Sequence, residues 1–220
     1  MIDGFDAIVL AGGRGSRLGV ASKPELVIGG RRLLDIALAA VADARQVVVV
    51  GDVEVPPHVL RTREEPPFGG PVAGVAAGYV ALPAHAPWTV LLACDLPGAE
   101  AAVQRLLTRT LGRGGDRGRD GSDGAGRAGD DAVADEEPVA DDEAVDGVCL
   151  MDGDGRLQWL LGCYRTARLG RRLAERGEPP ITAMYRLLEP LNLLGVPAAG
   201  VRVDDVDTPE DVTRWREGQL

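Results

Sequence analysis

Short apolar runs alternate with longer helical ones along most of the chain. "FDAIVLAGG" (5–13), "QVVVVGD" (46–52) and "WTVLLACDLP" (88–97) are aliphatic, β-branched runs that stop at glycine or aspartate. Runs of that length suit strands buried on both faces. Between them, "RRLLDIALAAVADA" (31–44) has helical periodicity and alanine-rich propensity. "GGPVAGVAAGYVALP" (69–83) reads as a helix opened by Gly70-Pro71, and "GAEAAVQRLLTRTL" (98–111) as another. Further on, "DGVCLMDGDGRLQWLLGCYR" (146–165) predicts a hairpin turning at Asp152-Gly153-Asp154-Gly155. Two helices (166–177 and 179–191), a strand "GVRVDDV" (200–206) and a terminal helix "DTPEDVTRW" (207–215) complete the pattern. Thr208 can cap that last helix and Pro209 fits its first turn. Alternation of this kind predicts an α/β fold, a doubly wound, mostly parallel sheet in a single domain.

One segment breaks the pattern. From Gly112 to Gly147 the chain holds twelve Asp/Glu and four Arg, which places −8 of the total charge of −10 there. Rich in glycine and acids and without aromatics, it cannot bury enough surface to offset its ordering entropy, so it reads as a disordered insert. It lacks the ligand spacing of an EF-hand. The rest of the 220-residue chain is nearly neutral and is compatible with an anionic ligand.

Composition narrows the function classes. Hydrophobic content of 45% and mean hydropathy of −0.02 are ordinary for a globular protein. No apolar run is long enough to predict a membrane span. Asp3 and Asp6 stand where an export signal would carry positive charge, so a cytoplasmic protein is expected. Cys94, Cys149 and Cys163 have no metal-ligand spacing and read as buried free thiols. With His58 and His85 the only histidines, chemistry should rest on carboxylates and cations. Few aromatics and no basic face weigh against nucleic acid.

The candidate chemistry lies after the first strand. "LAGGRGSRLGVASKPEL" (10–26) packs glycines with Arg14, Arg17 and Lys23, the only lysine beside 23 arginines. Glycines at a strand end let backbone N–H groups approach an anion, and the three cations add charge. A phosphate-bearing ligand is the expectation. The Walker pattern fails because Pro24 follows Lys23. The dinucleotide fingerprint fails because Gly13-x-Gly15-x-x-x-Gly19 is too long and the next strand ends too late, near Gly51-Asp52.

"LAGGRGSRLG" followed by "SKPEL" resembles the signature of nucleotidyltransferases that activate sugars, alcohols and cofactors with an NTP. "REEPPFGGPVAG", "LLACDLP", "QWLLGCYR" and "DDVDTPEDVTRW" make the resemblance closest to MobA-type molybdenum cofactor guanylyltransferases. It covers the chain except the acidic insert. It implies transfer of GMP from GTP to molybdopterin cofactor with release of pyrophosphate, using Mg²⁺. Molybdoenzymes or their chaperones are implied as further partners, and neither nucleic acid nor membrane is. Related cytidylyltransferases share the same pieces, so cytidylyl transfer, or transfer to a sugar or alcohol phosphate, is the alternative. A non-catalytic nucleotide-binding partner of a cofactor enzyme is a second alternative.

The resemblance also implies roles. Leu10, Ala11, Gly12 and Gly13 would surround the nucleotide, and Arg17 and Lys23 would meet its phosphates, with Arg14 beside them. Gly51 and Glu65 fall where the family touches base and ribose, but the family often has Asn and Asp there, which leaves the base open. Asp95 would bind Mg²⁺, with Asp205 or Asp207 as its partner. Phosphoryl transfer between two polyanions needs charge neutralisation and in-line positioning more than a protein nucleophile, which suits this set. Other readings remain for some residues: Asp95, Asp205 and Asp207 as helix caps, and Trp159 and Tyr164 as hairpin core rather than pterin-stacking residues. Arg165, Arg168, Arg172 and Arg186 are either a second phosphate site or a solvated helix face.

Overall fold

The computed structural model describes residues 4–12, 22–112, 138–140, 142–175 and 183–217. Seven strands form one sheet: β1 (Phe5–Leu10), β4 (Val47–Val50), β5 (Leu60–Thr62), β6 (Trp88–Ala93), β7 (Gly147–Met151), β8 (Leu157–Arg165) and β9 (Leu193–Pro197). Their spatial order is β5-β4-β1-β6-β8-β7-β9, and among them β8 alone runs against the rest. A two-residue pair, β2 (Val27–Ile28) and β3 (Arg31–Arg32), stands apart from the sheet. The expected mostly parallel, doubly wound α/β domain is what the chain forms.

Side-chain alternation explains the two cores. Phe5, Ala7 and Val9 of β1 pack with α1 (Leu33–Ala40), α3 (Ala99–Leu111) and Trp215 of α6 (Pro209–Glu217) on one face. Ile8 points the other way, into a core with α2 (Pro71–Ala81), α4 (Thr166–Ala174) and α5 (Met184–Leu188). Chain direction reverses its march across the sheet between β1 and β6, so these neighbouring strands open a crevice at their carboxyl ends. The 3-10 turn Lys23–Glu25 and the residues after β6 both lie at that edge.

Several sequence expectations change here. Residues 200–206 join no sheet; the last strand is β9, paired parallel with β7. Ala198 N–H donates to the Met151 carbonyl at 2.9 Å and ends the pairing, and Gly200 (φ 75°) turns the chain away. The expected helix 179–191 reduces to α5 within the described residues.

The acidic insert is bounded too generously by composition. Its final stretch packs on the fold: Val139 is buried, Gly147 opens β7, and Arg165 donates to the carbonyls of Ala140, Asp142 and Val145. Those three bonds anchor a chain that composition reads as solvated. Residues 113–137 and 141, on which the expectation of disorder mainly falls, lie outside the described residues. The three thiols are free and buried, and burial pushes that of Cys149 up to about 12. No helix among the described residues is long and apolar enough to cross a membrane.

Candidate active site

Two strand ends, a turn and a strap build the site. β1 continues into Ala11 and Gly12, with the Ala11 N–H donating to Val50 O at 2.9 Å. Gly51, the residue after β4, lies so close that a Cβ there would sit 2.7 Å from the Ala11 carbonyl oxygen. Its φ of +156° also favours glycine. Gly51 therefore shapes the Leu10-Ala11-Gly12 turn by letting two backbones touch. Gly12 is exposed and has open space where a Cβ would point. Gly13, Arg14 and Arg17 lie outside the described residues.

Lys23 reaches the site from a turn held at several points. Pro24 is buried, the Leu26 N–H closes the turn onto Lys23 O at 3.1 Å, and Arg32 pairs with Glu25 at 3.1 Å and with Asp35 at 2.7 Å. The hydrogen bonds of that guanidinium hold the Asp35 carboxyl below its usual range. From this base the Lys23 ammonium donates to Asp95 Oδ2 at 2.7 Å and to Asp207 Oδ1. Burial alone would lower the Lys23 pKa, but the two carboxylates outweigh it and hold it above the ordinary lysine value.

Asp95 leaves β6 two residues beyond its end, where the Cys94 N–H donates to Leu10 O at 3.1 Å. It is not a helix cap, because α3 opens at Gly98. Its own carbonyl receives the Val206 N–H at 3.0 Å, which ties the 198–208 strap across the sheet edge. On that strap, carboxylate oxygens of Asp205 and Asp207 come within 4.8 Å of each other and of Asp95. Asp207 is free for this because Thr208 and Asp211 cap α6 reciprocally. Burial first, and then Asp207 and Asp95, raise the Asp205 carboxyl above its usual value, with Lys23 opposing. Asp205 and Asp207, the two candidates for Asp95's partner, both stand beside it.

The donor set suits a hard cation. Mg²⁺ takes one or two carboxylates and fills its remaining positions with phosphate oxygens and water. Three carboxylates facing an open edge meet that need, and a positive group already binds two of them. Beside them opens a cavity of about 440 Å³ lined by Leu157, Gln158, Trp159, Met184 and the acids Asp95 and Asp205. The first four residues of β8 are only half-buried, so the uncovered strand start forms its wall. Sequence reasoning missed this cavity. Its signal was the apolar "LQWL" opening a strand next to a turn.

Other candidates fall elsewhere. Glu65 is exposed and lines a separate groove of about 890 Å³ along α2 and α4. Tyr164 is core, its hydroxyl donating to Trp159 O at 2.8 Å. Arg165 pairs in register with Trp88, at the opposite end of β6 from Asp95, and lies over the Trp88 ring. Arg168 pairs with Asp146 at 2.9 Å, and Arg172 with Glu175 at 2.7 Å. Arg165, Arg168 and Arg172 are thus held by partners of their own, and Arg186 donates to the Tyr185 hydroxyl at 2.8 Å.

A model of the MobA-like NTP transferase domain matches residues 7–192. No curated protein sequence matches the chain. Among solved structures, molybdopterin-guanine dinucleotide biosynthesis protein A from Archaeoglobus fulgidus is similar at 18% identity and TM-score 0.66, over 98% of this chain and 100% of that one. The 2-C-methyl-D-erythritol 4-phosphate cytidylyltransferase from Thermus thermophilus is similar at 16% identity and TM-score 0.60, over 97% and 98% of the two chains. The same-named enzyme from Francisella tularensis is similar at 11% identity and TM-score 0.63, over 98% and 100%. At such identities the solved structures speak for the shared fold alone. The family match spans most of the chain, and this protein belongs to the MobA-like NTP transferase family.

Proposed function

We propose that this protein transfers GMP from GTP to molybdopterin cofactor, forming the guanine dinucleotide cofactor and pyrophosphate. The observation that carries the reading is the meeting of Lys23, Asp95 and Asp207 at the carboxyl ends of β1 and β6. One strongly held cation and a set of acids beside a glycine turn is the equipment of metal-assisted phosphoryl transfer. An oxygen of the acceptor phosphate bonds to the α-phosphorus of GTP, the bond from that phosphorus to the bridging oxygen breaks, and pyrophosphate leaves with the electron pair.

The chain's own residues would act as follows. The Leu10–Gly13 turn surrounds the nucleotide, Arg14 and Arg17 neutralise its phosphates, and Gly51 sets the shape of the turn. Lys23 turns from the carboxylates to a phosphate oxygen as charge develops. Asp95 with Asp207 or Asp205 would hold Mg²⁺, which supplies charge neutralisation at the phosphates. The cavity beside Trp159 would seat the acceptor. The work is that of a cytoplasmic enzyme whose product passes to molybdoenzymes or their chaperones.

Cytidylyl transfer is the second reading. It is favoured by Gly51, which stands where the resemblance implies a base contact and has no side chain to select guanine. Pyrophosphate release, followed with each of four NTPs, Mg²⁺ and molybdopterin, separates the two. Preference for GTP supports the first reading, preference for CTP the second. Preference for ATP or UTP overturns both readings of the base, and release with none of the four refutes molybdopterin as acceptor.

A further inference from the structure

Gly98 has no conformational reason to be glycine. Its φ of −86° and ψ of 11° are open to other residues. The reason is space: a Cβ there would lie 2.2 Å from the carbonyl oxygen of Arg202 and 3.2 Å from the Trp215 ring. A backbone carbonyl cannot swing aside as a flexible side-chain tip can. The 198–208 strap therefore rests directly on the first turn of α3.

Three other contacts pin the same strap. Arg105 donates to the Ala199 carbonyl at 3.0 Å, and the Arg202 guanidinium lies 3.7 Å over the Trp215 ring. The Val206 N–H donates to the Asp95 carbonyl at 3.0 Å. Asp205 and Asp207 flank Val206, so whatever sets the height of the strap sets their distance from Asp95.

We propose that Gly98 is a positioning residue: its bare Cα seats the Arg202 carbonyl on α3 and thereby brings Asp205 and Asp207 to Asp95. The value of that placement rests on reading the three acids as a cation site. A side chain at position 98 lifts the strap, weakens the Val206–Asp95 bond and opens the acid cluster.

The test uses Gly98→Ala in the full chain, with Gly78→Ala as control. A Cβ at Gly78 meets Ile8 at 2.5 Å on the opposite face of the sheet, so that variant loses stability without touching the strap. Amide exchange of Val206, read by NMR, reports the strap directly. Binding of Mn²⁺ alone, read by electron paramagnetic resonance, reports the cluster. Gly98→Ala is expected to speed Val206 exchange at least about tenfold and weaken Mn²⁺ binding at least about fivefold, while Gly78→Ala changes neither. Wild-type Val206 exchange in Gly98→Ala overturns the proposal. Should wild-type protein bind no Mn²⁺, the cation reading falls, and Val206 exchange alone decides the positioning. Should Gly98→Ala not fold, Arg105→Ala takes its place, loosening the same strap without added bulk: faster Val206 exchange there with unchanged Mn²⁺ affinity overturns the link from the strap's seat to the acid cluster.

Discussion

The Lys23 ammonium donates to Asp95, 72 positions away in sequence, at 2.7 Å. A second carboxylate, on Asp207, accepts from the same nitrogen 184 positions away. A compact ammonium on a flexible stem can serve both and still turn to a third partner, whereas a planar guanidinium presents its donors in a fixed fork. We propose that this difference is why the chain has one lysine beside 23 arginines.

Exchange at this position should therefore be unequal. Lys23→Ala is expected to lower kcat for pyrophosphate release by roughly 10²–10³-fold, the scale of losing one transition-state donor. Lys23→Arg keeps the charge and should recover only part of the rate. An arginine variant turning over at the wild-type rate would remove shape from the explanation.

Lys23 and a divalent cation also contend for the same oxygens. Lys23→Met should bind Mn²⁺ in the absence of nucleotide more tightly than the wild type, by about tenfold or more, since one competing charge is gone. Titration with Mn²⁺ alone measures it. Equal affinity in the two proteins would show that the ammonium does not compete.

Gly51 touches the turn after β1 through its backbone. The Cβ of Gly51→Ala would meet the Ala11 carbonyl carbon and oxygen at 2.8 and 2.7 Å. Overpacking on this scale costs about 1–3 kcal/mol, which lowers Tm by about 2–12 °C in a chain this size. The NTP KM should rise as well, because the turn that shifts is the proposed binding turn. Calorimetry and steady-state kinetics check the two parts.

Capping of α6 should give a pH signature. The Asp211 carboxylate accepts from the Thr208 hydroxyl and N–H, each at 2.8 Å, and from the Asp207 N–H at 3.1 Å. The Thr208 hydroxyl contributes most, and together these bonds hold the carboxyl below its usual range. A depressed carboxyl adds stability that is fully present above its unfolded value, near ~3.9, and is lost as pH falls through the lower folded value. Asp211→Ala should thus melt about 2–4 °C below wild type at pH 6, the cost of one lost cap. The gap should close below the folded value, and a gap of constant size from pH 6 to ~2.5 would contradict the cap.

The acidic stretch can be cut at defined points. Gly112 ends α3 beside Pro138, whose ring carbon lies 2.8 Å from where a Gly112 Cβ would be, and the Val139 N–H donates to Arg109 O at 3.2 Å. Replacing 113–137 by a short Gly/Ser linker should leave Tm nearly unchanged, since loop length changes closure entropy only slightly. Extending the cut to 147 should destabilise strongly, because it removes buried Val139 and the carbonyls that hold Arg165. A fall beyond ~5 °C for the shorter cut, about 1–2 kcal/mol at this size, would mean that the segment itself packs.

Local pattern determined much of this molecule. "FDAIVL", "VVVV" and "WTVLLA" are strands because continuous apolar runs can be buried on both faces, and α2 starts at Pro71 because the ring tolerates only a first turn. The glycine turn and Lys23 were legible as candidate chemistry because glycines and cations at a strand end suit phosphate, and Asp95 was legible through the resemblance that "LLACDLP" carries. Tertiary structure decided the rest, and each case turns on a partner far away in sequence. "LLGVP" became a strand and "GVRVDDV" a strap because only the first met the free edge of β7. Arg165, a candidate phosphate ligand, landed on Trp88 and on three carbonyls of the acidic stretch. Asp205 and Asp207 reached Asp95 because a bare Gly98 let a carbonyl settle on α3. Periodicity reports what a residue's neighbours along the chain require of it, and contact across 72 or 184 positions depends on how the sheet is ordered.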